Sequence, residues 1–477
     1  MPNGSSLFPY QREGILAAHH KLLDHGGFYL QWKAGMGKTL GAIALHHTLK
    51  SQRTLVVAPV VAQGVWRREF EKWLPGTKVT FDLPEADTDV CVTTYDRIKD
   101  PKSDDPRRQR RTGTDRLHRL LAWEPDLLVL DEAQYVKSPN TGRTRAAWKI
   151  AGGSKFKLLM SGTPAHSPLD WWSQFRIISP AEPIFRQQFR EYRSQVMVLA
   201  GPNGNWAVRD SRGAYVTKGD GYKKLVEAMA PYVHAVAKSV LGLPEPIVTE
   251  VPLDLSPREQ KAYDSMESTL RAELHDETEA NASIVLTQIM RLDQIAAGHV
   301  TNEVGDTVDI GTTKTDAALE LIDQRDDEKI VVACRFRQDI ARLKAALEKR
   351  ERPFRVIDGS ISAGKRSEAE DWFQKEEHNG VMLLQYQAGG VAITLSKANT
   401  IIMYTLTPSV IQWEQMLARV HRIGTTTNVQ VLYLLANGTH DELQLAGLKA
   451  GASMVDMARL LLKYLNREDG RKLEHIA

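Results

Sequence analysis

The chain has 477 residues, 42% hydrophobic and 25% charged, with a formal net charge of +3. It is long enough for roughly two or three domains, and its balance of charge does not by itself announce a nucleic-acid or membrane partner. No apolar run reaches the ~18 residues of a membrane span and the N-terminus lacks a charged stretch followed by an apolar one, which points to a cytoplasmic protein with no membrane partner.

Up to about residue 180, short apolar runs at 28–31, 54–58, 90–93, 127–130 and 156–160 alternate with helical patterns. That alternation predicts a parallel sheet covered by helices. The first run leads into Lys33-Ala34-Gly35-Met36-Gly37-Lys38-Thr39, a strand, glycine turn and helix start. Gly35 and Gly37 let backbone amides approach a polyphosphate, Lys38 adds a mobile charge, and the Thr39 hydroxyl suits Mg²⁺. Trp32 stands where the strict phosphate-loop pattern has its first glycine. The fourth run delivers Asp131-Glu132-Ala133-Gln134, which places a metal-holding carboxylate beside one that activates water. Together the two sites predict a nucleoside triphosphatase.

Cys91 and Cys334 lie in apolar strand-like runs, so buried free thiols are expected, and two cysteines do not make a four-cysteine zinc cluster. Arg107-Arg108-Gln109-Arg110-Arg111 reads equally as a solvated basic loop or a phosphate contact. His19-His20 and His46-His47 are not read as metal sites, because adjacent helix residues diverge by about 100°. Residues 181–310 turn helical around the polar, glycine-containing stretch 201–221, with a boundary signal at Leu243-Pro244-Glu245-Pro246 and an acidic run at 275–279.

A second series of apolar runs, at 329–334, 354–357, 381–385, 400–404 and 429–435, predicts a second α/β domain, followed by short helices after about residue 441. The expected division is 1–180, an inserted helical segment 181–310, 311–440, and a helical tail 441–477. Within the second domain, Gln415, Arg419 and Arg422 fall at helical offsets on one face, beside an apolar stripe of Met416, Val420 and Ile423. Arginines supplied from a second domain stabilise charge on a phosphoryl group in flight.

The ordered motifs resemble those of the Snf2-like branch of superfamily 2 helicase-fold translocases. Leu7 to Gln11 is similar to the adenine-reading Q motif, Lys33 to Thr39 to motif I, Val57-Ala58-Pro59 to motif Ia, and Asp131 to Gln134 to motif II. Ser161-Gly162-Thr163-Pro164 looks like motif III, Asp358-Gly359-Ser360 with Arg366 and Phe373 like the D-G-S block, Ala388-Gly389-Gly390 like motif V, and Gln415 to Gly424 like motif VI. The resemblance implies two RecA-like domains forming a helicase core, with ATP and Mg²⁺ as cofactors.

By the same resemblance Gln11 reads adenine, Lys38 and Thr39 hold phosphate and Mg²⁺, Asp131 holds the metal, and Glu132 activates water. Gln415 contacts the nucleotide region, Arg419 and Arg422 act as arginine fingers, and Ser161, Gly162 and Thr163 couple hydrolysis to domain motion. Pro59, Thr93, Thr94, Asp358, Gly359, Ser360, Gly389 and Gly390 contact the nucleic-acid backbone. The implied activity is ATP-driven translocation on double-stranded DNA, with single-stranded DNA as the other candidate track and a replication or recombination protein as a possible partner.

A strand-separating or branch-migrating helicase uses the same ATP chemistry, with Trp206 or Tyr215 as a candidate wedge. A nucleotide-switched adaptor without turnover is the rival from outside the enzymes. The chain departs from the family at Trp32-Lys33, at Gln134 in place of histidine, at Ala392 and Thr394 in motif V, and at Tyr404-Thr405-Leu406-Thr407-Pro408. These departures, with no histone-reading or zinc module, look like the compact members found in phages and bacteria and argue against chromatin remodelling.

Overall fold

The computed structural model describes residues 6–99, 114–165, 167–200, 206–208, 216–276, 282–301, 307–375, 379–389, 393–422, 425, 428–452 and 457. It divides into two compact units, Met1–Gly242 and Leu243–Ala477. The boundary falls at the Leu243-Pro244-Glu245-Pro246 signal.

The first unit is built on strands β1 (Gly27–Trp32), β2 (Thr54–Ala58), β3 (Val79–Phe81), β4 (Val90–Thr94), β5 (Leu127–Asp131) and β6 (Phe156–Met160). A short hairpin of β7 (Leu199–Ala200) and β8 (Trp206–Ala207) stands apart, and β9 (Val233–Val236) completes the main sheet. The seven-stranded sheet has the order β3-β4-β2-β5-β6-β1-β9, with every pairing parallel. Helices α1 (Pro9–His25), α2 (Lys38–Thr48) and α3 (Gln63–Trp73) precede, follow and flank its central strands.

Covering on both faces explains why the strands read as unbroken apolar runs. Leu128 and Leu130 enter one core with Leu55 and Val57, while Leu127 and Val129 enter the other with Val56 and Ala58. The alternation is that of a pleated strand whose two faces are both buried.

The second unit has strands β10 (Ile247–Leu253), β11 (His299–Thr301), β12 (Thr307–Asp309), β13 (Ile330–Cys334), β14 (Phe354–Ile357), β15 (Val381–Gln385), β16 (Thr400–Met403) and β17 (Gln430–Ala436). Its six-stranded sheet runs β10-β17-β16-β13-β15-β14, again all parallel. The helices Pro257–Asp276 and Ala282–Ala296 meet the main body through a core of Tyr263, Ile289, Leu292, Ile295, Ala436 and Leu443.

The 181–310 segment is therefore not one inserted body. Its strand β9 pairs with β1 at the edge of the first sheet, whereas β10 pairs with β17 at the edge of the second. Edge strands take their hydrogen bonds from a neighbour and need no apolar run of their own. Consistent with that, the first four residues of β10 are exposed. The basic cluster 107–111, the glycine-rich loop at 201–205, Tyr215, the end of the acidic run at 277–279 and most of the tail lie outside the described residues. Cys91 and Cys334 are both buried and free. Among the described residues, no helix is long and apolar enough to cross a membrane.

Candidate functional site

In the sheet order of the first unit, β5, β6 and β1 are consecutive, so the turns after them emerge side by side at the carboxyl ends of the strands. That rim is where open α/β sheets hold ligands. The turn after β1 carries Gly35 at φ 84° and Gly37 at φ 82°, left-handed conformations that favour glycine. A side chain at Gly37 would also collide with the Gln11 amide, 2.5 Å from where its Cβ would stand. Gly37 starts α2, so the free amides of the helix N-terminus face the turn. Lys38 and Thr39 lie in the first turn of α2, and Lys38 donates through Nζ to the Trp32 carbonyl at 3.0 Å.

Gln11, the expected adenine reader, is buried against this loop. Its Nε2 donates to the Met36 carbonyl at 3.0 Å, its Oε1 accepts from the Phe8 amide at 3.0 Å, and the Tyr10 hydroxyl reaches the same Met36 oxygen at 2.8 Å. One function of the Gln11 amide thus braces the glycine loop, and the other caps the start of α1.

β5 ends at Asp131, whose Oδ2 accepts from Trp66 Nε1 at 3.1 Å while its backbone carbonyl accepts from the Tyr95 hydroxyl at 2.8 Å. Burial raises the Asp131 carboxyl to about 6, the adjacent Glu132 charge adds to the rise, and Lys38 opposes it. Glu132 sits at φ 54°, a left-handed conformation that costs a non-glycine residue on the order of 1 kcal/mol. Lys38 Nζ is 4.0 Å from Glu132 Oε1. One lysine facing two carboxylates leaves negative charge unbalanced, and the Thr39 hydroxyl and Asp131 carboxylate form an all-oxygen donor set, so these residues fit Mg²⁺.

The turn after β6 completes the rim. Ser161 Oγ donates to Gln134 Oε1 at 2.6 Å and accepts from the Thr163 amide at 3.1 Å, while Gln134 Nε2 donates to Glu132 Oε2 at 2.8 Å. A Cβ at Gly162 would lie 3.1 Å from Lys33 Cα and 3.2 Å from the Ala34 nitrogen, so motif III packs directly on the phosphate loop. The structure thus brings Gln11, Gly35, Gly37, Lys38, Thr39, Asp131, Glu132, Ser161, Gly162 and Thr163 to one rim. Trp66, Tyr95 and the bridging role of Gln134 were missed. Trp66 and Phe70, four residues apart on α3, read as core from spacing alone, and nothing local marks an indole N–H as a carboxylate's partner.

In the second unit the helix Val410–Val420 buries Met416 and Val420 as expected and leaves Gln415 and Arg419 half-buried. It ends before Arg422, which is therefore not on the helical face that the spacing predicted. The Thr425 hydroxyl donates to the Val420 carbonyl at 2.9 Å and accepts from the Arg422 amide at 3.2 Å, terminating the helix there. Arg422 Nη1 donates to Thr394 Oγ1 at 2.9 Å, and the Thr394 amide donates to Glu370 Oε1 at 2.8 Å. Ile423, Gly424 and Gly390 lie outside the described residues.

The candidate backbone contacts differ in accessibility. Pro59 is half-buried at the start of a short turn, Val60–Ala62, and Ser360 is exposed with its Oγ and amide on Asp358 Oδ1 at 2.6 and 2.8 Å. The Gly359 amide donates to Gln385 Oε1 at 3.3 Å, and Gly389 ends the short helix Tyr386–Gly389. Thr93 and Thr94 are buried, so their side chains are not at the surface.

One further cluster has metal-like spacing: ligand atoms of Asp293, His440 and Asp441 lie within 4.8 Å of one another. Each is already engaged. His440 Nε2 donates to Asp293 Oδ1 at 2.6 Å and Nδ1 accepts from the Tyr263 hydroxyl at 2.8 Å, while Lys314 pairs with Asp441 at 2.6 Å and Arg335 with Asp293. Two cations and satisfied imidazole nitrogens make this a buried ion-pair network that ties helices to the sheet.

The profile of the SNF2-related domain matches residues 10–299, and that of the helicase conserved C-terminal domain matches residues 313–424. The chain is 25% identical to a protein of Mycoplasma genitalium named as an uncharacterized ATP-dependent helicase, over 92% of this chain and 41% of that one. It is 26% identical to the DNA annealing helicase and endonuclease ZRANB3 of Homo sapiens, over 92% of this chain and 39% of that one. The chain thus spans about two fifths of the length of these curated relatives. The Sulfolobus solfataricus SWI2/SNF2 ATPase core in complex with dsDNA aligns with a TM-score of 0.43 and 23% identity, over 94% of this chain and 91% of that one.

Proposed function

The chain belongs to the SNF2-related branch of the superfamily 2 helicases, and from that premise we propose that it is a DNA-dependent ATPase that translocates along duplex DNA. The observation that carries the reading is the convergence of Lys38, the Asp131-Glu132 pair and Ser161 on adjacent turns at one rim of the first sheet. An adaptor that only switches on nucleotide binding has no need of a water-activating carboxylate held by Gln134 in a strained backbone conformation.

In this mechanism the amides around Gly35 and Gly37 and the Lys38 ammonium bind the β- and γ-phosphates, and Gln11 keeps the loop in shape. Glu132 orients the attacking water and accepts its proton. Thr39 and Asp131 would hold Mg²⁺, whose charge would offset that of the bound polyphosphate. Arg419 and Arg422 would bring positive charge to the transferring phosphoryl group as arginine fingers. Pro59, Asp358 to Ser360 and Gly389 would contact the nucleic-acid backbone and not base edges, which predicts little base preference. Thr93 and Thr94 would act through their backbone.

The family membership and the DNA-annealing name of the human relative support DNA as the track. That name also favours a second reading, in which the same motor re-forms duplex at a junction instead of travelling along it.

The test is ATP hydrolysis by the purified protein without polymer, then with blunt duplex DNA, single-stranded DNA or RNA, at low and moderate salt. Stimulation chiefly by duplex is the expected result. Stimulation chiefly by a single strand would move the assignment to an unwinding helicase, and none by any polymer would overturn it.

A further inference from the structure

Helix α3 has one end at the candidate DNA surface and its buried face on the nucleotide site. It follows Pro59 and Val60, and Val60 is 62% exposed. One turn in, Trp66 is 1% exposed and donates its indole N–H to Asp131 Oδ2. A further turn on, Phe70 is equally buried and meets His46 of α2 edge to face, with ring centroids 5.6 Å apart. The start of α3 is tied down as well, since Gln63 Nε2 donates to Asp82 Oδ1 at 3.1 Å and to the Val92 carbonyl at 3.3 Å. A shift of α3 therefore reaches the carboxylate directly, through one hydrogen bond, as well as the phosphate-binding helix through packing.

The chemistry of that bond is specific. An indole N–H only donates, so it favours an ionised acceptor, and a hydrogen bond to a charged group is among the stronger ones. With Oδ2 accepting from Trp66, the orientation of the carboxyl group that would hold Mg²⁺ is set by α3.

We infer that Trp66 is a positioning residue that holds the Asp131 carboxylate for Mg²⁺ and transmits DNA contact at the Pro59 end of α3 to the ATP site. The second half of this statement rests on the DNA-dependent ATPase reading; the first does not.

The test compares the wild-type chain with Trp66→Phe, which keeps an aromatic ring and removes the N–H together with the smaller ring of the indole, so that Phe70→Leu below serves as the control for lost packing. Binding of fluorescent mant-ADP is titrated with Mg²⁺ and repeated in EDTA, and ATP hydrolysis is measured with and without blunt duplex DNA. The Mg²⁺ midpoint is expected to rise about tenfold in Trp66→Phe while mant-ADP affinity in EDTA stays within about twofold, the loss of a hydrogen bond to a charged group setting the scale. The stimulation by duplex should fall by a similar factor. Phe70→Leu, which disturbs the same helix face without touching the carboxylate, should lower the thermal midpoint and leave the Mg²⁺ midpoint in place. Trp66→Leu carries the same expectation as Trp66→Phe should the latter fail to fold.

An unchanged Mg²⁺ midpoint in Trp66→Phe, or an equal shift in Phe70→Leu, overturns the positioning role. A raised midpoint with undiminished stimulation overturns the transmission role alone. A wild-type protein that no duplex stimulates defeats the functional reading, and the mant-ADP titration still decides the role of Trp66 at Asp131.

Discussion

Gln134 donates through Nε2 to Glu132 Oε2 across 2.8 Å, and its other amide atom, Oε1, accepts from Ser161 Oγ at 2.6 Å. A carboxamide is suited to hold a carboxylate on one side and a hydroxyl on the other. Replacing it by Gln134→Glu sets a second negative charge against Glu132 and removes the donor. The turnover number for ATP should fall about tenfold or more, with KM within about threefold, because the interaction orients the base and leaves phosphate binding alone. Steady-state kinetics check this, and an unchanged turnover number would remove Gln134 from the site.

Lys38 and Glu132 should separate binding from chemistry. Lys38→Ala removes the cation of the phosphate loop, so nucleotide affinity should fall at least about tenfold. Glu132→Gln keeps the shape and removes the base, so ATP should still bind while hydrolysis drops on the order of 10³-fold. Calorimetric binding set beside single-turnover hydrolysis distinguishes them, and a Glu132→Gln protein with wild-type turnover would contradict the assigned role.

Thr394 holds Arg422 through a 2.9 Å hydrogen bond, at a position where the sequence departs from its family. If Arg422 stabilises the transferring phosphoryl group, Arg422→Ala should cost about 10³-fold in turnover. Thr394→Val, which keeps the shape without the hydroxyl, should cost about tenfold, and the double variant should be no slower than Arg422→Ala alone. Additive losses in that cycle would show that Thr394 acts on something else.

His440 makes the second unit acid-sensitive. Burial lowers its pKa from 6.5 to about 4, with Lys314 and Arg335 adding to the fall and the Asp441 carboxylate opposing it. The direction agrees with the hydrogen bonds: Nδ1 accepts from Tyr263, whose oxygen already accepts the His440 amide at 2.9 Å and is poorly placed to take a second proton donor. Between these values the unfolded chain binds a proton that the folded chain refuses, so stability is fully present above about pH 6.5 and is lost as pH falls toward 4. Urea unfolding at pH 7 and pH 4.5 should differ by about 2 kcal/mol more in the wild type than in His440→Gln. Equal pH dependence in the two proteins would refute the assignment.

Strands were legible wherever both faces are buried. The runs at 54–58 and 127–130 are apolar throughout because helices cover the sheet on each side, and that composition is visible without knowing the neighbours. Of the edge strands, β14 was read from its run at 354–357, whereas β9 and β10 were not, and β10 exposes most of its own residues. The end of the helix Val410–Val420 was misplaced as well. It is set by the Thr425 hydroxyl returning to the Val420 carbonyl, a contact that helical spacing does not report.

The candidate nucleotide site was legible in local sequence, since left-handed glycines, a lysine at a helix start and a carboxylate pair at a strand end each lie only a few residues apart. The sequence alone therefore determined the two parallel-sheet domains and the family, and it supplied the candidate nucleotide motifs. Which distant groups meet those motifs was decided by the tertiary structure. Trp66 reaches Asp131 across 65 positions and Ser161 reaches Gln134 across 27, because the strand order sets their turns and helices side by side. A hydrogen bond between such groups depends on three-dimensional register, to which residue type and spacing along the chain contribute only the atoms.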